Sequence, residues 1–249
     1  MIVKDILKKT LRGAGFEFRR YREFPPDFDA GSIDVIRRVA PYTMTSSERV
    51  FSLIQAVQYV SDARIEGAIV ECGVWRGGSM MAVGYALTRL GDTSRGLYLF
   101  DTYEGMPRPT DEDVWVSGEK ASAIFDRTKM GEDSSDWCRS PIDEVQTNLK
   151  KTGYPTERMN FIKGKVEETI PGAAPEKIAL LRLDTDFYES TKHELEHLYP
   201  RLSPGGVLIV DDYGDWKGSR KAVDEYFRAA GRPILLNRVD DAGRMAIKR

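Results

Sequence analysis

Apolar residues recur along this chain in two rhythms: short continuous runs bounded by turn residues, and stretches in which every third or fourth position is apolar. The first rhythm predicts buried strands and the second predicts helices. A helix carrying Val50, Leu53, Ile54, Val57 and Val60 on one face begins at Thr45-Ser46-Ser47-Glu48. This reads as a capping box, with the Thr45 side chain capping and Glu48 reaching back. Strands follow over 68–72 (AIVEC), 97–101 (LYLFD), 159–162, 178–184 (IALLRLD) and 206–211 (GVLIVD). Helices are expected over 79–90, near 142–151, and over 190–202 and 219–230. Residues 234–239 and 244–248, joined through Asp240–Gly243, read as a hairpin. Repeated strand–helix units imply an α/β fold, a doubly wound, mostly parallel sheet of seven strands with helices on both faces, closed by the C-terminal antiparallel hairpin.

Two segments depart from that rhythm. Over 1–40, Ile2, Val3, Ile6, Leu7 and Leu11 recur at helical spacing, and Arg12, Arg19, Arg20 and Arg22 lead to Pro25-Pro26. This is an N-terminal helical extension, either an arm for a partner subunit in a homo-oligomer or a solvated cap, ahead of one domain over 41–249. Residues 104–140 are polar, with Pro107, Pro109, Gly118 and Gly131 and only scattered anchors such as Val114, Trp115, Ile124 and Phe125. Connections in α/β units usually run about 2–6 residues, and long unpatterned loops are commonly lids or binding loops. A lid-like insertion is expected here, loose until ligands bind.

Composition narrows the partners. The 249 residues carry 37 basic and 39 acidic side chains, a net charge of −2, so no global field points to nucleic acid or a membrane. Cys72 and Cys138 make neither a disulfide framework nor a CxxC pair. Lys4, Asp5, Lys8 and Lys9 interrupt what a signal peptide would need as an apolar run, and no stretch is long enough to span a bilayer. The expected setting is cytoplasmic.

Candidate chemistry sits where the strands end, the place where doubly wound sheets bind ligands. After the first strand come Glu71-Cys72-Gly73-Val74-Trp75-Arg76-Gly77-Gly78-Ser79. Gly73 permits a tight turn, and Gly77 and Gly78 allow close backbone approach to a ligand and the next helix. The G-x-x-x-G-G spacing departs from the G-x-G-x-x-G of dinucleotide enzymes and fits a cofactor without a pyrophosphate. Glu71 is placed to accept from an amino group, Asp101 to take both hydroxyls of a ribose, and Gly164-Lys165-Val166 to edge an adenine. The fourth strand exits through Asp184-Thr185-Asp186 and the fifth through Asp211-Asp212. These neighbouring strand ends would bring four carboxylates into one crevice, where like charges raise one another's pKa. Oxygen donors without nearby Cys or His suit Mg²⁺, Ca²⁺ or Mn²⁺ rather than zinc.

His193-Glu194-Leu195-Glu196-His197 matches the H-E-x-x-H zinc-protease pattern. At about 100° per residue both histidines fall opposite the stripe of Leu195, Leu198, Tyr199 and Leu202. A solvated face is the expectation, and no metalloprotease.

Long strings in this chain resemble the macrocin O-methyltransferase (TylF-like) family from about residue 41 onward. They are Tyr42-Thr43-Met44-Thr45, the run from Val70 to Met80 (VECGVWRGGSM), Phe100–Pro107 (FDTYEGMP), Leu183–Asp186 and Pro204-Gly205-Gly206 leading to Asp211-Asp212-Tyr213. The resemblance implies a class I methyltransferase, Rossmann-like, that uses S-adenosylmethionine and Mg²⁺. Its acceptor would be a hydroxyl on a small sugar-bearing molecule, either a glycosylated natural product or a nucleotide-linked deoxysugar. By position it implies Asp184, Asp211 and Asp212 as metal ligands, Asp186 as general base, and Tyr42, Thr43, Met44, Glu71 and Asp101 as cofactor contacts. Gly73, Gly77, Ser79, Gly164 and Val166 join them from the glycine turn and the third strand end. A catechol-type methyltransferase, a nicotinamide oxidoreductase on a similar sheet, and a binding module without turnover remain as other readings.

Overall fold

The computed structural model describes residues 23–249 apart from 232, together with residues 11 and 15. The helix expected over Ile2–Leu11 and the basic stretch from Arg12 to Arg22 otherwise lie outside the described residues. Seven strands form one sheet: β1 (Ala68–Cys72), β2 (Leu97–Asp101), β3 (Met159–Lys163), β4 (Ile178–Leu183), β5 (Leu202–Val210), β6 (Asn237–Arg238) and β7 (Arg244–Ile247). Their order is β3-β2-β1-β4-β5-β7-β6, with β1 to β5 parallel and β7 antiparallel to its neighbours. The helices are α1 (Ala30–Val39), α2 (Ser47–Asp62), α3 (Gly78–Leu90), α4 (Ala121–Thr128), α5 (Ile142–Lys150), α6 (Val166–Thr169), α7 (Tyr188–Leu198) and α8 (Lys217–Ala229). Among the described residues no helix is long and apolar enough to cross a membrane.

Side chains alternate across a strand, so each run feeds two cores. Ile69, Leu97, Leu99, Leu180, Val207 and Ile209 pack with buried residues of α1, α2, α3 and α5. Val70, Cys72, Phe100, Leu181, Leu183, Leu208 and Val210 pack with those of α6, α7 and α8. Strands buried on both faces read as continuous apolar runs, which is why the parallel sheet was visible in the sequence.

Several boundaries moved. The cap of α2 is Ser46, whose hydroxyl accepts the Arg49 N–H at 3.1 Å, so the expected Thr45 cap is corrected by one residue. The Thr45 hydroxyl is used elsewhere, as the acceptor for Arg182 at 3.2 Å. β6 is two residues long because Ile234 and Leu236 turn onto the cluster that holds Phe227 instead of entering the ladder. α7 stops at Leu198, two residues before Pro200, and the chain continues as a 3₁₀ turn over Tyr199–Arg201.

The 104–140 segment holds more order than its composition suggested. α4 presents Ala121, Ile124 and Phe125 at i, i+3, i+4 spacing, and Ala121 and Ile124 join Phe187, Trp216, Met106, Trp115 and Trp137 in a small apolar cluster. Trp115 pairs by backbone with Trp216, and the two rings meet edge to face at 4.9 Å.

Candidate active site

Beyond β1, β3, β4 and β5 the ladder runs one further rung. Gly73 N–H donates to the Phe100 carbonyl, Asp184 N–H to Cys72 and Asp211 N–H to Leu183, each at 2.9 Å, and Gly164 N–H to Asp101 at 3.0 Å. Strand order reverses between β1 and β4, and a cavity opens at that switch point. Its floor is Gly73, Trp75, Asp101, Gly164, Val166 and the Asp184–Asp186 turn, and Met106, Pro107 and Cys138 of the inserted segment overhang it. Trp75, Cys138 and Asp186 hold φ of 46°, 52° and 66°. Non-glycine residues in the left-handed region carry strain that surrounding structure must sustain, and such strain gathers at functional sites. Gly73 has φ 81°, and a Cβ there would collide with the Asp184 carbonyl oxygen, so only glycine lets β1 and β4 exit this close together.

Alternation sorts the acidic side chains. Glu71 and Arg182 face each other in register across β1 and β4. Buried Arg182 places Nη1 2.7 Å from Glu71 Oε1 and 2.6 Å from Asp184 Oδ2, and Nη2 2.7 Å from Asp211 Oδ1. Arg49 of α2 bonds Asp211 Oδ2, and its Nε lies 2.9 Å from Asp240 Oδ2. Two of these contacts are close without hydrogen-bond alignment, which leaves Arg49 Nε and Asp211 Oδ1 buried and unbonded. Burial pushes Glu71 up to about 7 against the pull of Arg182.

Carboxylate oxygens of Asp184 and Asp186, which line the cavity, and of Asp212 behind them lie within 4.8 Å of one another. Burial raises all three carboxyls, and like charge adds to it, Asp184 acting on Asp186 and Asp186 on Asp212. Asp186 is pushed up to about 7. Such a cluster is stable either with protons on it or around a hard cation, and oxygen donors without His or Cys fit Mg²⁺. Of the four expected carboxylates, then, three converge. Asp211 lies apart with the arginines because it falls on the opposite face of the strand exit from Asp212.

Of the expected cofactor contacts, Met44, Gly73, Asp101, Gly164 and Val166 line the cavity, while Tyr42, Thr43, Glu71, Gly77 and Ser79 do not. Gly77 caps α3 in the left-handed region with its Cα facing Leu149. A Cβ on Gly78 would collide with the Tyr42 carbonyl, so that glycine serves the packing of Tyr42–Thr43 on α3. The Asp101 carboxylate accepts the Val74 and Trp75 amides at 2.6 and 3.0 Å and the Tyr103 amide at 2.7 Å, and so ties down the glycine turn.

Sequence reasoning missed three residues. Arg49 and Arg182 are two of them, and for Arg182 the signal is an arginine inside the apolar run IALLRL, a buried charge that needs partners. Glu194 is fully buried, its Oε1 accepting the Thr185 hydroxyl at 3.0 Å. Thr191, Glu194, Leu195 and Leu198 follow i, i+3, i+4, i+7 spacing, the signal that could have placed it inside. The expected solvated face for the histidines is corrected as well. Both are half-buried, with ring centroids 4.4 Å apart, and His193 Nε2 meets the Ile170 carbonyl at 3.0 Å.

A five-strand parallel sheet closed by an antiparallel hairpin, with a glycine turn at its switch point and an acid at the end of β2, has the architecture of class I methyltransferases. The chain matches the family described as Macrocin-O-methyltransferase (TylF) over residues 2–246 and belongs to it, and it is an S-adenosylmethionine-dependent O-methyltransferase. It is 32% identical over 243 residues to the 8-demethyl-8-(2,3-dimethoxy-alpha-L-rhamnosyl)-tetracenomycin-C 4'-O-methyltransferase of Streptomyces olivaceus, covering 96% of this chain and 89% of that protein. It is also 32% identical over 202 residues to the mycinamicin III 3''-O-methyltransferase of Micromonospora griseorubida, covering 81% of this chain and 76% of that protein. Among solved structures the O-methyltransferase NovP superposes with a TM-score of 0.73 at 27% identity, covering 99% of this chain and 98% of that one.

Proposed function

We propose that the protein methylates a sugar hydroxyl of a glycosylated natural product or a nucleotide-linked deoxysugar, with a divalent cation, Mg²⁺ foremost, at the strand exits. The observation that carries this reading is the carboxylate cluster of Asp184, Asp186 and Asp212, of which Asp184 and Asp186 line the switch-point cavity. The rhamnosyl and macrolide names of the two relatives support the acceptor class.

Asp184 and Asp212 would hold the cation, and Asp211, which pairs with Arg182 and Arg49, would join them by turning Oδ1 away from Arg182. When bound, the cation supplies the positive charge that makes a sugar hydroxyl more acidic, and S-adenosylmethionine supplies the sulfonium methyl. Asp186 accepts the hydroxyl proton as the oxygen attacks. Asp101, Gly164 and Val166 would seat the adenosyl part, and Glu71, which does not line the cavity, would have to be reached from it for Oε2, buried without a donor, to accept the methionine ammonium. The apolar walls of Trp75, Met106 and Phe187 exclude water and hold the reacting atoms in line.

Release of S-adenosylhomocysteine with rhamnosylated acceptors tests the assignment. Turnover should fall to background in excess chelator and return with Mg²⁺. Full turnover in chelator would remove the cation from the mechanism, and turnover of simple catechols alone would remove the sugar. Stability supplies a second reading. Between the ordinary carboxylate range and about 7 the folded cluster holds protons that the unfolded chain has released. The metal-free protein should therefore lose stability as pH rises through that window. A bound cation replaces those protons, so its stabilisation should grow with pH. At 100-fold excess over Kd it should raise Tm by about 5–10 °C at pH 8 and by little at pH 5.5. A gain equal at both pH values would mean that the ion binds elsewhere.

Acceptor choice resides in the 104–140 segment, which closes over the crevice once cofactor and acceptor are bound. Trp115 and Asp113 tie it to Trp216 and to the Tyr188 amide, while Gly105–Arg108 overhang the cavity. Proteolysis within 104–140 should slow clearly on adding S-adenosylhomocysteine plus acceptor. Equal cleavage with and without ligands would make it a static cover.

A further inference from the structure

We propose that Glu194 is a positioning residue of the methyl-transfer reaction, setting the Asp184–Thr185–Asp186 turn from beneath through the Thr185 hydroxyl. The inference rests on the reading of this turn as the reacting centre. Glu194 projects from the inward face of α7, among Thr191, Leu195 and Leu198, and is fully buried. An apolar side chain would suit that face better, since a carboxyl removed from water destabilises unless it is bonded. The bond it makes is to Thr185, whose Oγ1 donates to Glu194 Oε1 at 3.0 Å. Oε2 has no hydrogen-bond partner, and the Cys72 thiol lies beside the carboxyl. Burial pushes Glu194 well above the usual carboxylate range, and Oε1 accepts the Thr185 hydroxyl whether or not the carboxyl is ionised.

Thr185 stands between two carboxylates of the cluster, and the next residue, Asp186, holds φ 66°. Aspartate enters that region more readily than most residues, but holding it in one orientation needs contacts from its neighbours. The backbone contributes Asp184 N–H to the Cys72 carbonyl at 2.9 Å and Phe187 N–H to the Thr185 carbonyl at 2.7 Å. The Ser190 hydroxyl reaches the Thr185 carbonyl only at 3.4 Å. The Asp186 amide donates to Asp212 Oδ2 at 3.3 Å, and none of these bonds involves the Thr185 side chain. Glu194 anchors that side chain and thereby fixes where the Asp186 carboxylate points.

Four variants test this: Glu194→Gln, Glu194→Leu, Thr185→Val, and the double Glu194→Leu/Thr185→Val. Turnover number, KM for S-adenosylmethionine and Mn²⁺ affinity by calorimetry are measured on each. Displacing a reacting group by about an ångström is worth up to roughly 100-fold in rate, so Glu194→Leu and Thr185→Val should each lower kcat about 10–100-fold. KM for the cofactor should hold, and Mn²⁺ affinity should fall in step with kcat. Glu194→Gln should restore both, because its amide oxygen still accepts the hydroxyl. The double variant should be no slower than Glu194→Leu, as expected of two ends of one bond. Glu194→Gln as slow as Glu194→Leu, additive losses in the double variant, or a fall in Tm with kcat unchanged would each overturn the proposal. If Glu194→Leu does not fold, normal kcat in Thr185→Val overturns it. Wild-type protein that turns over without binding Mn²⁺ would instead defeat the cation assignment, and the kcat pattern would still judge Glu194.

Discussion

Asp186→Asn is expected to lower kcat by about 10²–10⁴-fold, the usual contribution of a general base, while cation affinity stays close to wild type. The substitution isolates the proton-accepting role because asparagine, like aspartate, tolerates the left-handed region in which residue 186 sits at φ 66°. An alanine there would add backbone strain and blur the result. A second sign distinguishes this variant from general damage. Removing one of three crowded carboxyls relieves Asp184 and Asp212, so the metal-free variant should melt higher than wild type at pH 8. Asp212→Asn should do the reverse for binding, weakening the cation because a neutral amide is a poor ligand for a hard ion. Calorimetric titration with Mn²⁺ and single-turnover methyl transfer check both. Loss of cation affinity in Asp186→Asn together with normal affinity in Asp211→Asn would make Asp186 a ligand in place of Asp211.

Arg182→Met should destabilise the protein by about 3–5 kcal/mol at pH 8, because it leaves buried carboxylates without their counter-charge. For a chain of this size that lowers Tm by about 6–20 °C. Arg182 joins Glu71, Asp184 and Asp211 from β1, β4 and β5, and of the three only Asp211 keeps a second cation, Arg49. The deficit should depend on pH in a definite direction. Glu71, already pushed up to about 7 with the arginine in place, rises further without it. The variant then holds a proton in the folded state that the unfolded chain releases above the ordinary carboxylate range. Its deficit therefore grows as pH rises and shrinks toward pH 5.5, where neutral carboxyls need no partner. Urea unfolding at the two pH values measures this. A loss below about 1 kcal/mol at pH 8 would show that the charges are not confined as the distances suggest.

The parallel sheet, its seven strands and the aspartates at the strand exits were legible in the sequence because each rests on local information. Runs such as AIVEC and IALLRL can only be strands buried on both faces, and the residues that end them must sit at the sheet's carboxyl edge. Order within 104–140 was not legible. Its helix has only the short spacing of Ala121, Ile124 and Phe125 to announce it, and the Phe187 and Trp216 that hold it lie far along the chain. The cap of α2 shifted from Thr45 to Ser46 for a related reason: a distant arginine claims the threonine hydroxyl.

For the site, the sequence by itself determined which chemical groups are present and at which strand ends they stand. Tertiary structure alone decided how they pair. Asp211 and Asp212 are adjacent in the chain, yet one falls to Arg49 and Arg182 and the other to Asp184 and Asp186. The partition depends on which face of the sheet each side chain leaves by and on which charges lie opposite once β1, β4 and β5 are in register. Glu194 shows the same limit. Its helical spacing turns it inward, but only the packing of α7 under the Asp184–Asp186 turn brings it to Thr185, because a hydrogen bond needs a few ångströms of three-dimensional proximity that spacing along a chain does not supply.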